Sequence, residues 1–420
     1  MMVSAATLLF TYCRPKHTRE VLNGLKHSTI LPERLIIYQD GISEDTSEDK
    51  IKLWKEVNSI IHGVNWCECD VIEAKKNQGL SDSIVRGINR AFEYFDAIIV
   101  LEDDCVPQPT FIEFMLKSLE KYANAPNVFC INGSDEPVEV IPNGYDAYFM
   151  GRINSWGWAT WKSKWRSFDR NYRIIKEIRS DNDLSKWLDV WGRDLEATLH
   201  MNVSGETDSW AAFWALSVMK RKGLCLSPYK SLVNNIGFDG TGRHCGCNKP
   251  ISELDEAARK DFRLPDNAEV IKNYEVIFDN YYNWIDPLVR EKYYTDVLIK
   301  WIEVIEKEGS IWKWSKKTRV NQVYVWGLGK VGKVTVKELG KYLRVNGIID
   351  RNNSIIEYCS IRVIQPQDIP EGAGTIVVVP GYDMKNIYQL ASSVGGIQLI
   401  PIHNFLEQVK DTWNEDKAQE

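Results

Sequence analysis

Three consecutive carboxylates, Glu102, Asp103 and Asp104, follow a short apolar run from Ile98 to Leu101. The stretch AIIVLEDDCVP, 97–107, thus sets three acids at the mouth of a strand buried on both faces. Val106, Pro107 and Pro109 end the extended segment ahead of a helical pattern over 110–122. Adjacent carboxylates repel one another and lose stability if unpaired. A divalent cation removes that repulsion, and oxygen ligands suit Mg²⁺ or Mn²⁺. The plain alternative is a solvated acidic turn. A second acid, Asp208, lies in Glu206-Thr207-Asp208-Ser209-Trp210, just before the apolar stretch 211–219. It is either a helix-capping residue or a carboxylate free to accept a proton, with Glu206 as the reserve. Farther on, Gly327-Leu328-Gly329-Lys330-Val331-Gly332 follows a strand-like run and opens a helix, and Asp350 closes the next strand. That is G-x-G-x-x-G with an acid at about the ~20-residue distance of a dinucleotide fingerprint.

The elements that must position these groups alternate. Strands are expected at Ala5–Thr11, Leu35–Tyr38, Val64–Ile72 and Val128–Asn132, with helical spacing over Thr18–Lys26 and Lys52–Ile61. Asn77-Gln78-Gly79 makes a turn, and Ser81 or Asp82 caps a helix that puts Ile84, Ile88, Ala91 and Phe95 on one face. Such alternation predicts a mostly parallel sheet, whose ligands lie beyond the carboxyl ends of its strands, where the three acids stand. From Gly144 to Trp165 the pattern loosens and becomes rich in glycine and aromatics. Trp156, Trp158 and Trp161 are too closely spaced for one helical face, so either all three are core or at least one is free to stack on a ring. Trp301, Trp312 and Trp314 sit among Lys and Glu in a helical stretch, beside Lys313, Lys316, Lys317 and Arg319. That stretch either packs between domains or touches a membrane surface. The expected division is 1–265, a helical connector over 266–318, a smaller α/β domain over 319–410, and a frayed tail over 411–420.

With 420 residues, 44% hydrophobic and 26% charged, the composition is that of a globular protein of two or three domains. The net charge of −6 argues against nucleic-acid binding through a basic surface. Nine cysteines without framework-like spacing read as free thiols. No apolar run approaches the ~20 residues of a membrane span. The start, MMVSAATLLFTYCRP, lacks a basic leader region and reads as a first strand, which gives a cytoplasmic location.

Over roughly Leu9–Cys247 the chain resembles the GT-A-fold glycosyltransferases, in particular bacterial family-2 polysaccharide enzymes and the N-acetylglucosaminyltransferase I type. LEDDCVP is similar to their acidic metal motif, though it is not a D-x-D with a variable middle residue. The resemblance implies an α/β, doubly wound GT-A domain with a mixed, Rossmann-like sheet, an inverting reaction and a nucleotide-sugar donor, UDP-linked. It makes Asp104 the metal ligand, with Asp103 on the ribose or a bridging water and Glu102 facing the donor sugar; which acid binds the metal directly stays open. Arg14, in TYCRP, matches an arginine near the nucleotide, and Asp40, in IIYQDG, an acid that reads uracil. SWGWATW, 155–161, is similar to the segment over the sugar and acceptor, and Asp208 stands in the place of the catalytic base. NIGFDGTGRHC, 235–245, looks like the loop that closes over the diphosphate, where His244 would reach the diphosphate or complete the Mn²⁺ or Mg²⁺ shell. Cys245 and Cys247 beside it lack the second pair that zinc spacing requires. Residues beyond about 319 resemble small Rossmann-like domains of bacterial sugar-modifying proteins, which either bind a nucleotide or hold a partner.

The implied activity is transfer of a hexosyl or N-acetylhexosaminyl group to a glycan or lipid-linked acceptor in surface polysaccharide synthesis, at the inner face of the membrane. A homo-oligomer or a protein partner would form through the C-terminal domain. Three rivals stand beside it. An NAD(P)-dependent oxidoreductase or epimerase would need a Tyr-x-x-x-Lys or comparable site after the fingerprint, and none follows. A nucleotidyltransferase would need glycine in Phe10–Lys16, and there is none. A non-catalytic sugar-binding scaffold would keep the tryptophans but not need Asp104 or Asp208.

Overall fold

The computed structural model describes all residues but 1–3, 139, 240–252, 258–260, 286, 353–354, 381–386, 389–390, 392–393 and 415–420. The chain forms two units, Met1–Asp286 and Pro287–Glu420.

The first unit is built on an eight-stranded mixed sheet. Its parallel part comprises β1 (Ala5–Thr11), β2 (Leu35–Gln39), β3 (Cys69–Glu73) and β4 (Ala97–Glu102), ordered β3-β2-β1-β4. Side chains alternate between the two faces of a strand. Leu8 and Phe10 of β1, with Ile98 and Val100 of β4, therefore enter one apolar layer, and Leu9, Ile99 and Leu101 enter the other. Helices cover both layers. On one side lie α1 (Pro15–Lys26), α2 (Glu48–His62) and, after the short β5 (Cys105–Pro107), α4 (Phe111–Lys121). On the other side α3 (Leu80–Ala91) packs through Ile84, Ile88 and Ala91 as its spacing predicts.

Beyond β4 the sheet becomes mixed. β6 (Val128–Asn132), β7 (Ala147–Met150), β8 (Trp158–Trp161) and β9 (Leu224–Pro228) extend it in the order β4-β8-β6-β9-β7. β8 runs antiparallel to both β4 and β6, β7 runs antiparallel to β9, and β6 runs parallel to β9. The parallel order expected from the alternation holds over β1–β4, and the sheet as a whole is mixed. β7 and β8 escaped notice because each is only four residues long and all apolar or aromatic apart from Thr160, so no alternation marks them. β3 is also shorter than the expected Val64–Ile72. It is an edge strand matched only to the five residues of β2, beginning at Leu35 opposite Cys69.

Between β8 and β9 come α5 (Lys162–Trp165), α6 (Ile174–Ser180), α7 (Asn182–Trp191), α8 (Asp194–Ser204) and α9 (Trp210–Met219). Nine of the ten residues of α9 are buried, a helix apolar on every side and enclosed by its neighbours. β10 (Val233–Asn235) pairs antiparallel with β5, and α10 (Lys272–Ile285) closes the unit, burying Tyr274, Phe278 and Tyr282.

The second unit opens with α11 (Pro287–Glu306) and α12 (Ser310–Thr318). Its sheet holds β11 (Gln322–Trp326), β12 (Arg344–Ile349), β13 (Glu357–Tyr358), β14 (Ile361–Ile364), β15 (Gly374–Val378) and β16 (Ile397–Pro401), in the order β13-β14-β12-β11-β15-β16. All neighbours are parallel except β13 with β14. α13 (Lys330–Leu339) crosses from β11 to β12, and α14 (Ile402–Asn414) ends the described chain. Trp301 and Trp314, from the stretch read as packing between domains or touching a membrane, are core residues of this unit. Their indoles donate to Thr335 and Gln408, at 3.2 Å each, and Trp312 alone of the three is exposed.

Candidate active site

The carboxyl ends of β1, β2 and β4 deliver the polar residues to one place. Glu102 is the last residue of β4, and Asp103 and Asp104 form the turn into β5. Arg14 follows β1 as the cap residue of α1, and Asp40 follows β2. Asp208 immediately precedes the Ser209 that caps α9. Arg14, Asp40, Glu102, Asp103, Asp104, Trp156 and Asp208 all line a single cavity of about 940 Å³.

Arg14 clamps the acids. Its guanidinium pairs with Asp103 through one nitrogen and lies 3.0 Å from Asp104 through the other. Burial works against the Arg14 charge, but Asp103 and Asp104 more than offset it, so its proton is held more tightly than usual. Glu102 has no such partner. Burial first, then the charges of Asp104 and Asp103, push its carboxyl up to about 8, against a counteracting hydrogen bond from Trp210. Burial also raises Asp103, opposed by Arg14.

One oxygen of Asp103, Oδ2, is buried without a hydrogen-bond partner. A buried acceptor left unmade is costly, and a hard cation is a fitting partner for it. Among the described residues no group of three or more His, Cys, Asp or Glu side chains could hold a metal ion. Two carboxylates with water and phosphate oxygens completing the shell are the usual way Mg²⁺ is held beside a phosphorylated substrate. The donor set therefore fits a hard divalent cation bound together with a phosphate-bearing ligand.

Asp40 organises the floor of the cavity. Its Oδ1 accepts from the amides of Gly41 and Gln78, both at 2.9 Å, and its Oδ2 from Gly79 at 3.1 Å. Burial raises its pKa and these bonds pull it back. The carboxylate thus ties the end of β2 to the turn that starts α3. Gly79 is the cap residue there, at φ +80, a conformation that L side chains rarely adopt. Neither Ser81 nor Asp82 caps that helix, contrary to the sequence expectation. Both bind Arg170 instead, at 3.0 and 2.6 Å.

Asp208 is not the cap of its helix. The hydroxyl of Ser209 accepts from the Ala212 amide, which leaves the Asp208 carboxylate to the cavity, its side chain 41% exposed and 3.9 Å from Arg170. Glu206 is exposed, accepts from Ser204 at 2.6 Å and is not among the cavity residues. His244, Cys245 and Cys247 lie outside the described residues. Of the loop that begins at Asn235, residues 236–239 run past the acids. The Ile236 amide donates to the Asp104 carbonyl at 2.8 Å, and Gly237 passes so near the Asp104 carboxylate that a side chain there would collide with it.

Of the three tryptophans of SWGWATW, Trp158 and Trp161 point into the core, while Trp156 lines the cavity edge-on to Phe238. Two site residues were not signalled by the sequence. His17, buried in the first turn of α1, places Nε2 3.2 Å from Asp239 Oδ2. Arg170, in an ordinary charged stretch, bridges α3 to the approach of Asp208. In the second unit, both oxygens of Asp350 are engaged by backbone, Oδ2 by the Leu328 amide at 2.6 Å and Oδ1 by the Asn352 amide at 2.8 Å.

Among solved structures, the mannosyltransferase PcManGT from Pyrobaculum calidifontis, in complex with GDP-Man and Mn²⁺, matches 53% of this chain and 74% of its own at 8% identity and a TM-score of 0.31. S. aureus TarS 1-349 matches 56% of this chain at 9% identity and a TM-score of 0.31, and the match spans 60% of TarS 1-349. RSP, a Rex-family repressor, matches 24% of this chain and 61% of its own at 11% identity and a TM-score of 0.18. No curated protein matches the chain. The family model for glycosyl transferase family 2 matches residues 8–186, the span from β1 into α7 that carries Arg14, Asp40, Glu102, Asp103 and Asp104.

Proposed function

We propose that the Met1–Asp286 unit transfers a hexosyl or N-acetylhexosaminyl group, with inversion, from a UDP-linked donor to a hydroxyl of a glycan or lipid-linked acceptor, in surface polysaccharide assembly. The observation that carries the reading is the shared cavity: an Arg-clamped acidic turn at the carboxyl end of a parallel strand and an uncapped Asp208 open to the same space. The family-2 match over 8–186 agrees with it.

Each role follows from chemistry available at these positions. The departing nucleoside diphosphate gathers negative charge. Arg14 and the amino end of α1, which has no acid in its first turn, face that charge with fixed positive potential. Asp103 and Asp104 would hold Mn²⁺ or Mg²⁺, which supplies Lewis-acid stabilisation of the leaving diphosphate. Glu102, beside the two acids at the end of β4, faces the donor sugar and hydrogen-bonds one of its hydroxyls. Asp208 accepts the proton of the attacking hydroxyl, and Arg170 holds the surrounding turn in place. Trp156 offers an aromatic face or edge to the sugar. His244 belongs to the proposal as a second contact to the diphosphate.

The test is release of nucleoside diphosphate from a panel of nucleotide-sugars, with Mn²⁺ or with a chelator, by the full-length chain and by Asp208→Asn. The expected result is metal-dependent release from one donor class, lost in Asp208→Asn while donor binding persists. Release from that donor at parental rate by Asp208→Asn contradicts the assignment of the base.

A further inference from the structure

We propose that Glu136, which lies outside the cavity, is a positioning residue that fixes Trp156 against the donor sugar by way of Asn154. Trp156 stands in an irregular segment between β7 and β8, so no strand sets its place. Its backbone is held at two points. Its own amide donates to Asn154 Oδ1 at 3.0 Å, and the carbonyl of the next residue, Gly157, accepts from the Gly133 amide at 2.6 Å. The second hold is backbone on backbone. The first depends on how the Asn154 side chain is turned.

A side-chain amide has two faces, and only its oxygen can accept from the Trp156 amide. Glu136 makes that choice. The Asn154 Nδ2 donates to Glu136 Oε1 at 3.4 Å, and the same oxygen accepts from the Tyr282 hydroxyl at 3.1 Å, so it offers Asn154 a lone pair. With Nδ2 drawn to Glu136, Oδ1 is left facing Trp156. The backbone of Asn154 is pinned as well, its amide donating to Asn132 Oδ1 at 2.9 Å. Tyr282, on α10, is itself fixed, 1% exposed and with its ring centre 4.9 Å from the Arg152 guanidinium. A relay thus runs from α10 through Glu136 and Asn154 to the tryptophan. Glu136 and Asn154 are not among the cavity residues, whereas Trp156 is, edge-on to Phe238 at 5.5 Å. The two polar residues therefore act through Trp156 and touch no ligand. A shift of the ring by a fraction of an ångström is enough to loosen a site. This inference rests on the reading that Trp156 meets the donor sugar.

The experiment reads position and ligand separately, on the full-length chain. Hydrogen exchange at the Trp156 backbone amide is followed without ligand. In Glu136→Leu, which cannot accept, the amide is expected to exchange about tenfold faster, as loss of one hydrogen bond implies. Glu136→Gln, whose amide oxygen can take both bonds, is expected to restore the parental rate. Tyr282→Phe removes only a hydroxyl, is expected to speed exchange too, and serves if Glu136→Leu does not fold. Calorimetry with Mn²⁺ then compares UDP with UDP-glucose and UDP-N-acetylglucosamine. Affinity for the better-bound of these sugars, relative to UDP, is expected to fall about three- to tenfold in Glu136→Leu, the range of a single aromatic contact. UDP itself is expected to bind as to the parent, and Glu136→Leu to cost nothing further once Trp156→Ala is present. Unchanged exchange at Trp156 in both Glu136→Leu and Tyr282→Phe overturns the proposal. So does faster exchange with the relative affinity intact, or a loss that falls equally on UDP. A parent that binds none of the three ligands counts against the transferase reading instead, and the exchange rates still decide whether Glu136 positions Trp156.

Discussion

Replacing Arg14 by methionine removes the one cation that, among the described residues, pairs with the acidic turn, and keeps most of the side chain's apolar bulk. The paired groups are mostly shielded, with side-chain exposures of 22% for Arg14, 7% for Asp103 and 11% for Asp104. Breaking a buried pair by removing one partner costs about 3–5 kcal/mol, because the remaining charge stays desolvated. Here two carboxylates are left, beside a Glu102 whose carboxyl is already pushed up to about 8. Protonation is their escape, and it fixes the sign of the pH dependence. Without Arg14 the folded-state proton affinity of Asp103, already raised by burial, rises further, whereas in the unfolded chain it titrates near pH ~4. The folded variant then binds more protons than the unfolded one above that pH, so its stability falls as pH rises. Urea unfolding in chelator is therefore expected to show a deficit against the parent that is modest at pH 5 and reaches about 3 kcal/mol or more at pH 8. Adding Mn²⁺ narrows it. The double variant with Asp103→Asn recovers part of the loss, a coupling of about 1 kcal/mol or more. A deficit under about 1 kcal/mol at pH 8, or one that shrinks between pH 5 and pH 8, refutes the clamp.

Asp208→Asn is expected to lower turnover at least ~10²-fold without changing the unfolding midpoint, while Ser209→Ala costs about 1 kcal/mol of stability and leaves turnover near the parental value; denaturation curves and initial rates on the two variants separate cap from base. Arg152 pairs in bidentate fashion with Asp194 at 2.9 Å and lies 4.9 Å from the Tyr282 ring centre, beside a Glu136 raised by burial. Arg152→Met is expected to cost about 3–5 kcal/mol in urea unfolding, by the same logic as Arg14 but away from the cavity. Gly327 sits at φ +99, and a Cβ there would come within 2.8 Å of the Pro380 ring. Gly327→Ala should destabilise the Pro287–Glu420 unit by more than about 1 kcal/mol, read as a drop in its thermal midpoint.

The features legible in the sequence are those written in a few consecutive residues. Apolar runs of β1, β2 and β4 placed three parallel strands, and the acids after Leu101 placed themselves at a strand end. The glycine turn before α13 was legible for the same reason. Contacts across long separations were not. Arg14 and Asp103 are 89 positions apart, and only the pairing of β1 with β4 brings them together. Asp40 shows a different limit, since its type and place were visible but its three backbone donors were not. Asp208 and Ser209 are both good capping residues, so sequence left the choice open, and a single hydrogen bond to Ala212 decides it for Ser209. Glu206 had the right type and stands two residues before Asp208, yet its carboxylate accepts from Ser204, outside the cavity. The tryptophans fared worst, because Trp301, Trp312 and Trp314 share a charged neighbourhood in sequence and only packing separates the two core residues from the exposed one.

The central claim is that the cavity of the first unit binds a nucleotide-sugar through a metal held by the acidic turn. Calorimetric titration of UDP into the full-length chain, with Mn²⁺ and with chelator, and then into Asp104→Ala, tests it directly. Binding is expected with Mn²⁺, with its loss in chelator and its loss in an Asp104→Ala protein that remains folded. Undiminished Mn²⁺-dependent affinity in Asp104→Ala, or no binding of any nucleoside diphosphate to the parent with Mn²⁺ present, would contradict it.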